Sequence, residues 1–239
     1  MKYYTHPTYN KIIGLISSEF TQKSKLSILD FGCGSGYLLS IFPKHILKKY
    51  SGYDVSKKSI VTAKETINSK NASFNLINLD KPLDLGNSNS KDTVIAIGVL
   101  QYLKDKEVDV FIKESRRVLK KGGILLISTV VDHIIYKIFN LYGLFLPNRF
   151  INRIKLMQKL RKAGFNVEYQ KESGLILGPL VSHNFTLIPD ALDKIFFSTK
   201  GTLGILGRTF RKISTPLMAL EYLVPLDYGY TLYIKARKI

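Results

Sequence analysis

The chain of 239 residues holds a single cysteine, Cys33, and no tryptophan. One thiol excludes an intrachain disulfide framework and a multi-cysteine metal site, and it suits a reducing compartment such as the cytoplasm. The four histidines, His6, His45, His133 and His183, lie far apart and form no metal-ligand spacing with that cysteine, so no metal is expected. Acids are scarce, 18 Asp and Glu against 36 Lys and Arg, which gives a formal net charge of +18. No apolar run approaches the ~18 uncharged residues needed to cross a bilayer. The greasiest stretch, HIIYKIFNLYGLFLP from His133, is broken by Lys137 and Asn140. The first ten residues, MKYYTHPTYN, lack the apolar centre of a signal peptide. A hydrophobic content of 45% with a mean hydropathy of +0.03 describes a globular chain with enough apolar mass for a core.

The positive charge is spread rather than gathered in a tail. Residues 1–128 carry 20 bases and 11 acids, and residues 129–239 carry 16 and 7, so each part is +9. Two causes stay open: a lysine-rich composition shared with the whole genome, or selection for an anionic partner such as lipid head groups, RNA or an acidic substrate.

What is present is an alternation of apolar strands and amphipathic helices. Residues 3–20 read as a helix with Ile12, Ile13, Leu15, Ile16 and Phe20 on one face. LSILDF (26–31) reads as a buried strand, and a helix follows its glycines at once. A second strand ends at Asp54, and a helix runs from about Ser56, its N-cap, to Ser69. ASFNLINLD is expected as a third strand ending at Asp80, DTVIAIGV (92–99) as a fourth, and GILLISTVV (123–131) as a fifth. The helix KEVDVFIKESRRVLK (106–120) precedes the fifth strand, closed by Gly122 and Gly123. Five alternations over residues 26–131 predict an α/β, Rossmann-like, doubly wound parallel sheet. Later come a helix from Arg149 ending at Gly164, a strand over 166–173 and a closing strand over 229–238. Residues 175–227, punctuated by four prolines, read as a helical insertion.

The densest signal is SILDFGCGSGYLL, Ser27 to Leu39. Its glycines are spaced Gly32-x-Gly34-x-Gly36, not the G-x-G-x-x-G of dinucleotide sites. Asp30 stands two residues before the first glycine, where a carboxylate would repel a pyrophosphate. That acid suits a ligand with a cationic end, such as the ammonium of S-adenosylmethionine. The amides of the glycine turn at a helix N-terminus suit its carboxylate. Asp54, 22 residues after Gly32, is placed to chelate two ribose hydroxyls. Asp80 is placed to accept from the adenine amino group, with Asn78 its competitor if the strand ends early.

In ILDFGCGSG, SGYDVS, NLD, DTVIAIGVLQYL and RVLKKGGILLIS, in that order, the chain resembles the class I S-adenosylmethionine-dependent methyltransferases of the type 11, 12 and 23 groups. LRKAGF and GYTLYIKARK extend the likeness to that family's last helix and reversed final strand. The resemblance implies a seven-stranded sheet of order 3-2-1-4-5-7-6 with strand 7 antiparallel, and S-adenosyl-L-methionine as methyl donor, leaving S-adenosyl-L-homocysteine. Position by position, it implies that Asp30, Gly32, Cys33, Gly34 and Gly36 line the methionine end. Asp54 and Val55 would flank the ribose and adenine, Leu79 and Asp80 the adenine, and Gly98 and Val99 would close the site. Cys33 is expected as a small loop residue, not a nucleophile. One methyltransferase domain over 1–239 is expected, with a helical cap at 1–25, a cofactor-binding core at 26–131 and an acceptor-side region at 132–239.

The acceptor is less legible. The fourth strand continues as AIGVLQYL, without the Asn/Asp-Pro-Pro-aromatic turn that resembling enzymes use on amino groups. His133, just past the fifth strand, and His183, in the insertion, are the candidate bases; each is alternatively a polar loop residue. From Arg149 to Lys162 there are six bases and no acid, interleaved with Phe150, Ile154, Met157 and Leu160. Residues 150–163 read as a packed helix first and an anionic-membrane contact second, and residues 175–227 as a substrate lid with an apolar pocket that could touch the membrane, so a cytoplasmic protein peripheral to the inner membrane surface is one expectation. A small-molecule, lipid-like or quinone-like acceptor, methylated on oxygen, is the leading reading. An RNA methyltransferase and a non-catalytic S-adenosylmethionine-binding protein are the rivals.

Overall fold

The computed structural model describes residues 7–20, 25–132, 150–174 and 229–239. The predicted insertion at 175–227, His133 and His183 lie outside the described residues.

Seven strands form one sheet: β1 (Leu26–Phe31), β2 (Leu47–Asp54), β3 (Ala72–Leu76), β4 (Lys91–Ile97), β5 (Leu119–Val130), β6 (Phe165–Ser173) and β7 (Thr231–Lys238). Their order is β3-β2-β1-β4-β5-β7-β6. β1 to β5 pair in parallel, and β7 runs antiparallel between β5 and β6. The expected topology is therefore observed. All six residues of β1 are buried, because helices cover both faces of a central parallel strand. On one face lie α1 (Pro7–Ser17), α2 (Tyr37–Ile41) and α3 (Lys57–Thr66), packing Ile12, Ile16, Leu38, Leu39, Ile60 and Ala63 against Ile28 and Ile95. On the other lie α4 (Asp105–Val118) and α5 (Arg153–Lys162), packing Val108, Phe111, Leu156 and Leu160 against Leu29, Phe31 and Ile127. Phe31 and Phe111 stack with ring centroids 4.5 Å apart, worth about 1 kcal/mol beyond the area they bury.

Local chemistry sets the boundaries. Ser56 caps α3 by accepting from the Ser59 N–H at 3.2 Å, as predicted. Asn152 caps α5 by accepting from Lys155 N–H at 3.0 Å. α4 has Asp105 and Glu107 in its first turn and Arg116 and Arg117 in its last, each sign matched to the helix dipole.

Two predicted boundaries are corrected. β3 ends at Leu76 rather than Asp80. Ile77 N–H still donates to Asp54 O at 2.9 Å, but Asn78 Oδ1 then accepts the Asp80 N–H at 2.9 Å and turns the chain out of the ladder. Asp80 therefore sits beyond the strand, not at its end. β5 begins at Leu119 rather than Gly123, and α4 stops at Val118 accordingly. Leu119 pairs with Lys91 and Ile124 with Thr93, a bulge that absorbs the glycines.

The basic stretch after Arg149 is a packed helix. Leu156, Met157 and Leu160 are buried under it, and only Ile154 stands out at 68% exposure. No helix among the described residues is long and apolar enough to cross a membrane.

Candidate functional site

The carboxyl ends of β1, β2 and β4 converge on the glycine turn. Gly32, Gly34 and Gly36 all have positive φ, at 77°, 53° and 83°. At Gly32 a Cβ would run into Val99 Cγ2, so the turn and the loop after β4 touch backbone to side chain. At Gly34 a Cβ would meet nothing within 4 Å, so this face of the turn is open. Gly32 and Cys33 N–H both donate to Tyr53 O, at 2.7 and 3.1 Å, and Gly36 begins α2.

Asp54 closes the turn from the next strand. Its Oδ2 accepts from Gly34 N–H and its Oδ1 from Ser56 N–H, both at 2.8 Å. A carboxylate offers about four lone-pair sites, so two directions stay free on the oxygens of a half-exposed side chain.

A cavity of about 270 Å³ opens beside Asp54. Of the predicted residues, Gly32, Asp54, Val55, Leu79, Gly98 and Val99 line it. Val55 is 58% exposed, an apolar side chain left uncovered at a strand end. Gly98 has φ 65° and donates to Ser128 O at 2.8 Å, which fixes the exit of β4 beside β5. Cys33, Gly34, Gly36, Asp30 and Asp80 are not in the cavity wall. Asp80 is exposed on the turn beyond β3. Cys33 is buried, and burial together with the Asp30 and Asp54 charges pushes its thiol well above its usual range, consistent with a small loop residue rather than a nucleophile.

Asp30 is buried on the α1 side of β1, 3% exposed, and accepts from the Tyr50 hydroxyl at 2.5 Å. Burial raises its pKa to about 7, against the lowering effect of the Tyr50 bond, and the Asp54 charge adds to the rise. Tyr9, from α1, is pushed to about 12 by its own burial and by the nearby Asp30.

Phe31, Ile77, Ile97, Tyr102 and Leu103 also line the cavity and were not singled out from the sequence. Phe31 and Ile97 end β1 and β4, so strand termini alone would have flagged them. Gln101 was missed as well. It is buried in the turn after β4, accepts from Thr129 Oγ1 at 3.1 Å, and holds its Nε2 beside Gly98. Among the described residues no cluster of His, Cys, Asp and Glu could hold a metal.

Among the described residues the cavity wall carries one carboxylate and no Lys, Arg or His, in a chain whose net charge is +18. That wall is ill suited to phosphates and well suited to a neutral nucleoside.

Comparisons with known proteins agree with this chemistry. Residues 29–125 match the family model of a methyltransferase domain. The chain is 28% identical over 174 residues to a ubiquinone biosynthesis O-methyltransferase of Pelagibacter ubique, covering 70% of this chain and 68% of that one. It is 28% identical over 127 residues to a ribosomal protein L11 methyltransferase of Dictyoglomus thermophilum, covering 53% of this chain and 39% of that one. A crystal structure of an S-adenosylmethionine-dependent methyltransferase from Mesorhizobium loti superposes with a TM-score of 0.61 at 18% identity, over 94% of this chain and 96% of that one. In sheet order, in motif order and over residues 29–125, the chain is similar to the class I S-adenosylmethionine-dependent methyltransferases, whose cofactor is S-adenosyl-L-methionine.

Proposed function

We propose that the protein transfers a methyl group from S-adenosyl-L-methionine to an oxygen of a small or lipid-like acceptor. The observation that carries the cofactor half is the cavity wall, with one acid and no base among the described residues, beside a glycine turn open at Gly34. The residues fit the group. Asp54 has lone pairs left for two ribose hydroxyls. Val55, Ile77 and Leu79 offer apolar faces to a base, and the open turn at Gly34 leaves room for a chain leading to the Asp30 side. Gly98 and Val99 hold the wall opposite the turn. Asp80 stands outside the wall and adds no lining side chain.

When bound, the cofactor supplies a methyl carbon already activated by its sulfonium, so the protein's task is alignment and exclusion of water. Orientation of this kind can contribute on the order of 7–11 kcal/mol. The bond from Gly98 N–H to Ser128 O and the bond from Thr129 to Gln101 fix the ends of β4 and β5, where an acceptor would approach. An acceptor hydroxyl must lose a proton, and His133 and His183 are the candidate bases. Residues 26–131 then form the cofactor half, and residues 132–239, with the insertion at 175–227, the acceptor half.

The oxygen acceptor is supported by the likeness to the ubiquinone biosynthesis O-methyltransferase. The test is transfer of a tritiated methyl group from S-adenosylmethionine, with phenols and hydroquinones, total RNA and a protein mixture as separate acceptors. Label in the phenol or hydroquinone extract is expected. Label in RNA would favour the rival suggested by the net charge, label in protein would replace both, and cofactor binding without transfer to any class would favour a non-catalytic binding protein.

A further inference from the structure

We propose that Tyr50 is a positioning residue for the amino-acid end of the methyl donor, acting by holding the Asp30 carboxyl group in place. This rests on the S-adenosylmethionine reading above. The two side chains come from adjacent parallel strands, with Asp30 of β1 opposite Gly52 of β2. Tyr50, two residues earlier on β2, lies on the same face as that pair and reaches along it to donate to Asp30 Oδ2 at 2.5 Å. Both side chains are buried, Tyr50 at 1% and Asp30 at 3%. No Lys, Arg or His forms a salt bridge with Asp30 among the described residues. The groups facing it are the hydroxyls of Tyr50 from β2 and Tyr9 from α1, the Cys33 thiol of the turn and the Asp54 carboxylate.

A buried acid with a phenol as its hydrogen-bond donor and no cation is an incomplete electrostatic arrangement. A ligand ammonium would complete it. The Tyr50 ring is buried, with the Phe74 ring 5.8 Å away, and its hydroxyl is directed at Asp30. Without it, the carboxyl group loses the donor that favours its charged form, and an incoming ammonium meets a neutral, misdirected acid. Burial already raises the acid to about 7, so losing that bond matters most near neutral pH and less at higher pH, where the acid ionises regardless. The sign follows: affinity for an ammonium-bearing ligand rises with pH through this range, and loss of Tyr50 moves the rise upward.

Calorimetry with two probes separates a positioning role from a structural one. S-adenosylhomocysteine carries the amino-acid end, and methylthioadenosine lacks it. Tyr50→Phe keeps the ring and its packing. It is expected to weaken S-adenosylhomocysteine about tenfold at pH 7, as for one hydrogen bond to a charged group, with the deficit narrowing at about pH 8.5. Methylthioadenosine affinity should stay within about twofold, since that probe makes no contact the lost bond supports. Asp30→Asn should reproduce the selective loss without the recovery at higher pH. Equal shifts for the two probes, or unaltered S-adenosylhomocysteine binding in Tyr50→Phe, would overturn the proposal while leaving the cofactor reading intact. Failure of the unsubstituted protein to bind S-adenosylhomocysteine would overturn both.

Discussion

Replacing Asp54 by alanine removes two things at once, and the structure allows both to be sized. The carboxylate accepts from Gly34 N–H and Ser56 N–H at 2.8 Å each. A hydrogen bond to a charged group is worth about 1.5–3 kcal/mol, and these amides sit near solvent, so the lower figure applies. Loss of both costs about 3 kcal/mol of stability, which lowers the melting temperature by about 6–12 °C for a chain of this size. The two free lone-pair directions are those assigned to the ribose hydroxyls. Their loss costs a similar ~3 kcal/mol in binding, or about a hundredfold in Kd. Differential scanning calorimetry reads the first effect and isothermal titration with S-adenosylhomocysteine the second. Asp54→Asn should fall between, because one oxygen becomes an amide that faces a backbone N–H. An Asp54→Ala protein that melts normally refutes the bracing of the turn. One that melts lower but binds S-adenosylhomocysteine within about threefold of the original refutes the ribose assignment, since a single hydrogen bond to a charge is worth more than that.

Gly32→Ala places a methyl group against Val99 at φ 77°; a cost of about 2–4 kcal/mol is expected from left-handed strain plus overlap, read as a lowered denaturant midpoint. Asp80→Ala, at an exposed site outside the cavity wall, should weaken S-adenosylhomocysteine by less than about tenfold, as for a hydrogen bond made in water. Asp30→Asn removes a buried acid whose pKa is raised to about 7. Such a group stabilises the fold below its unfolded pKa and loses that contribution as pH rises through the folded value. The variant should therefore melt higher than the original at pH 8 without ligand, and a pH series of melting curves checks it. Glu19→Ala breaks a cluster in which Glu19 and Glu168 bind Lys235 and Arg237 and tie the segment after α1 to the last two strands. About 1 kcal/mol is expected, shrinking with added salt. Both carboxyl groups are lowered from their usual range, Glu19 first by its bond from Lys235 and Glu168 first by its bond from Arg237. Their contribution is present above the ordinary carboxyl range and lost as pH falls through the lowered values.

The central strands were legible because parallel strands with both faces covered are nearly continuous apolar runs, and LSILDF and DTVIAI stand out for that reason, whereas the strand order followed only from the family resemblance. The glycine turn was legible because positive φ confines positions 32, 34 and 36 to glycine. Strand ends were less so. Asn78 was read within the third strand and as Asp80's competitor for the adenine should that strand end early; the strand does end early, and the Asn78 side chain captures the Asp80 amide outside the cavity wall. Leu119 looked helical, yet it pairs with Lys91 across a bulge. Tyr50 was invisible as a site residue, since nothing in KKYSGYD says that its hydroxyl crosses to Asp30; only strand register does. The predicted bases were chosen by position relative to β5 and to the insertion, and both lie outside the described residues.

The chemistry of the described wall calls for S-adenosylmethionine rather than a phosphate-bearing nucleotide. A thermal-shift comparison of S-adenosylmethionine, S-adenosylhomocysteine, NAD and ATP at equal concentration tests it most directly. A ligand at a hundred times its Kd stabilises the fold by about 2.7 kcal/mol, or roughly 5–10 °C at this chain length. That shift is expected for the two sulfur nucleosides and none for NAD or ATP. Stabilisation by NAD or ATP, with no response to the sulfur nucleosides, would contradict it.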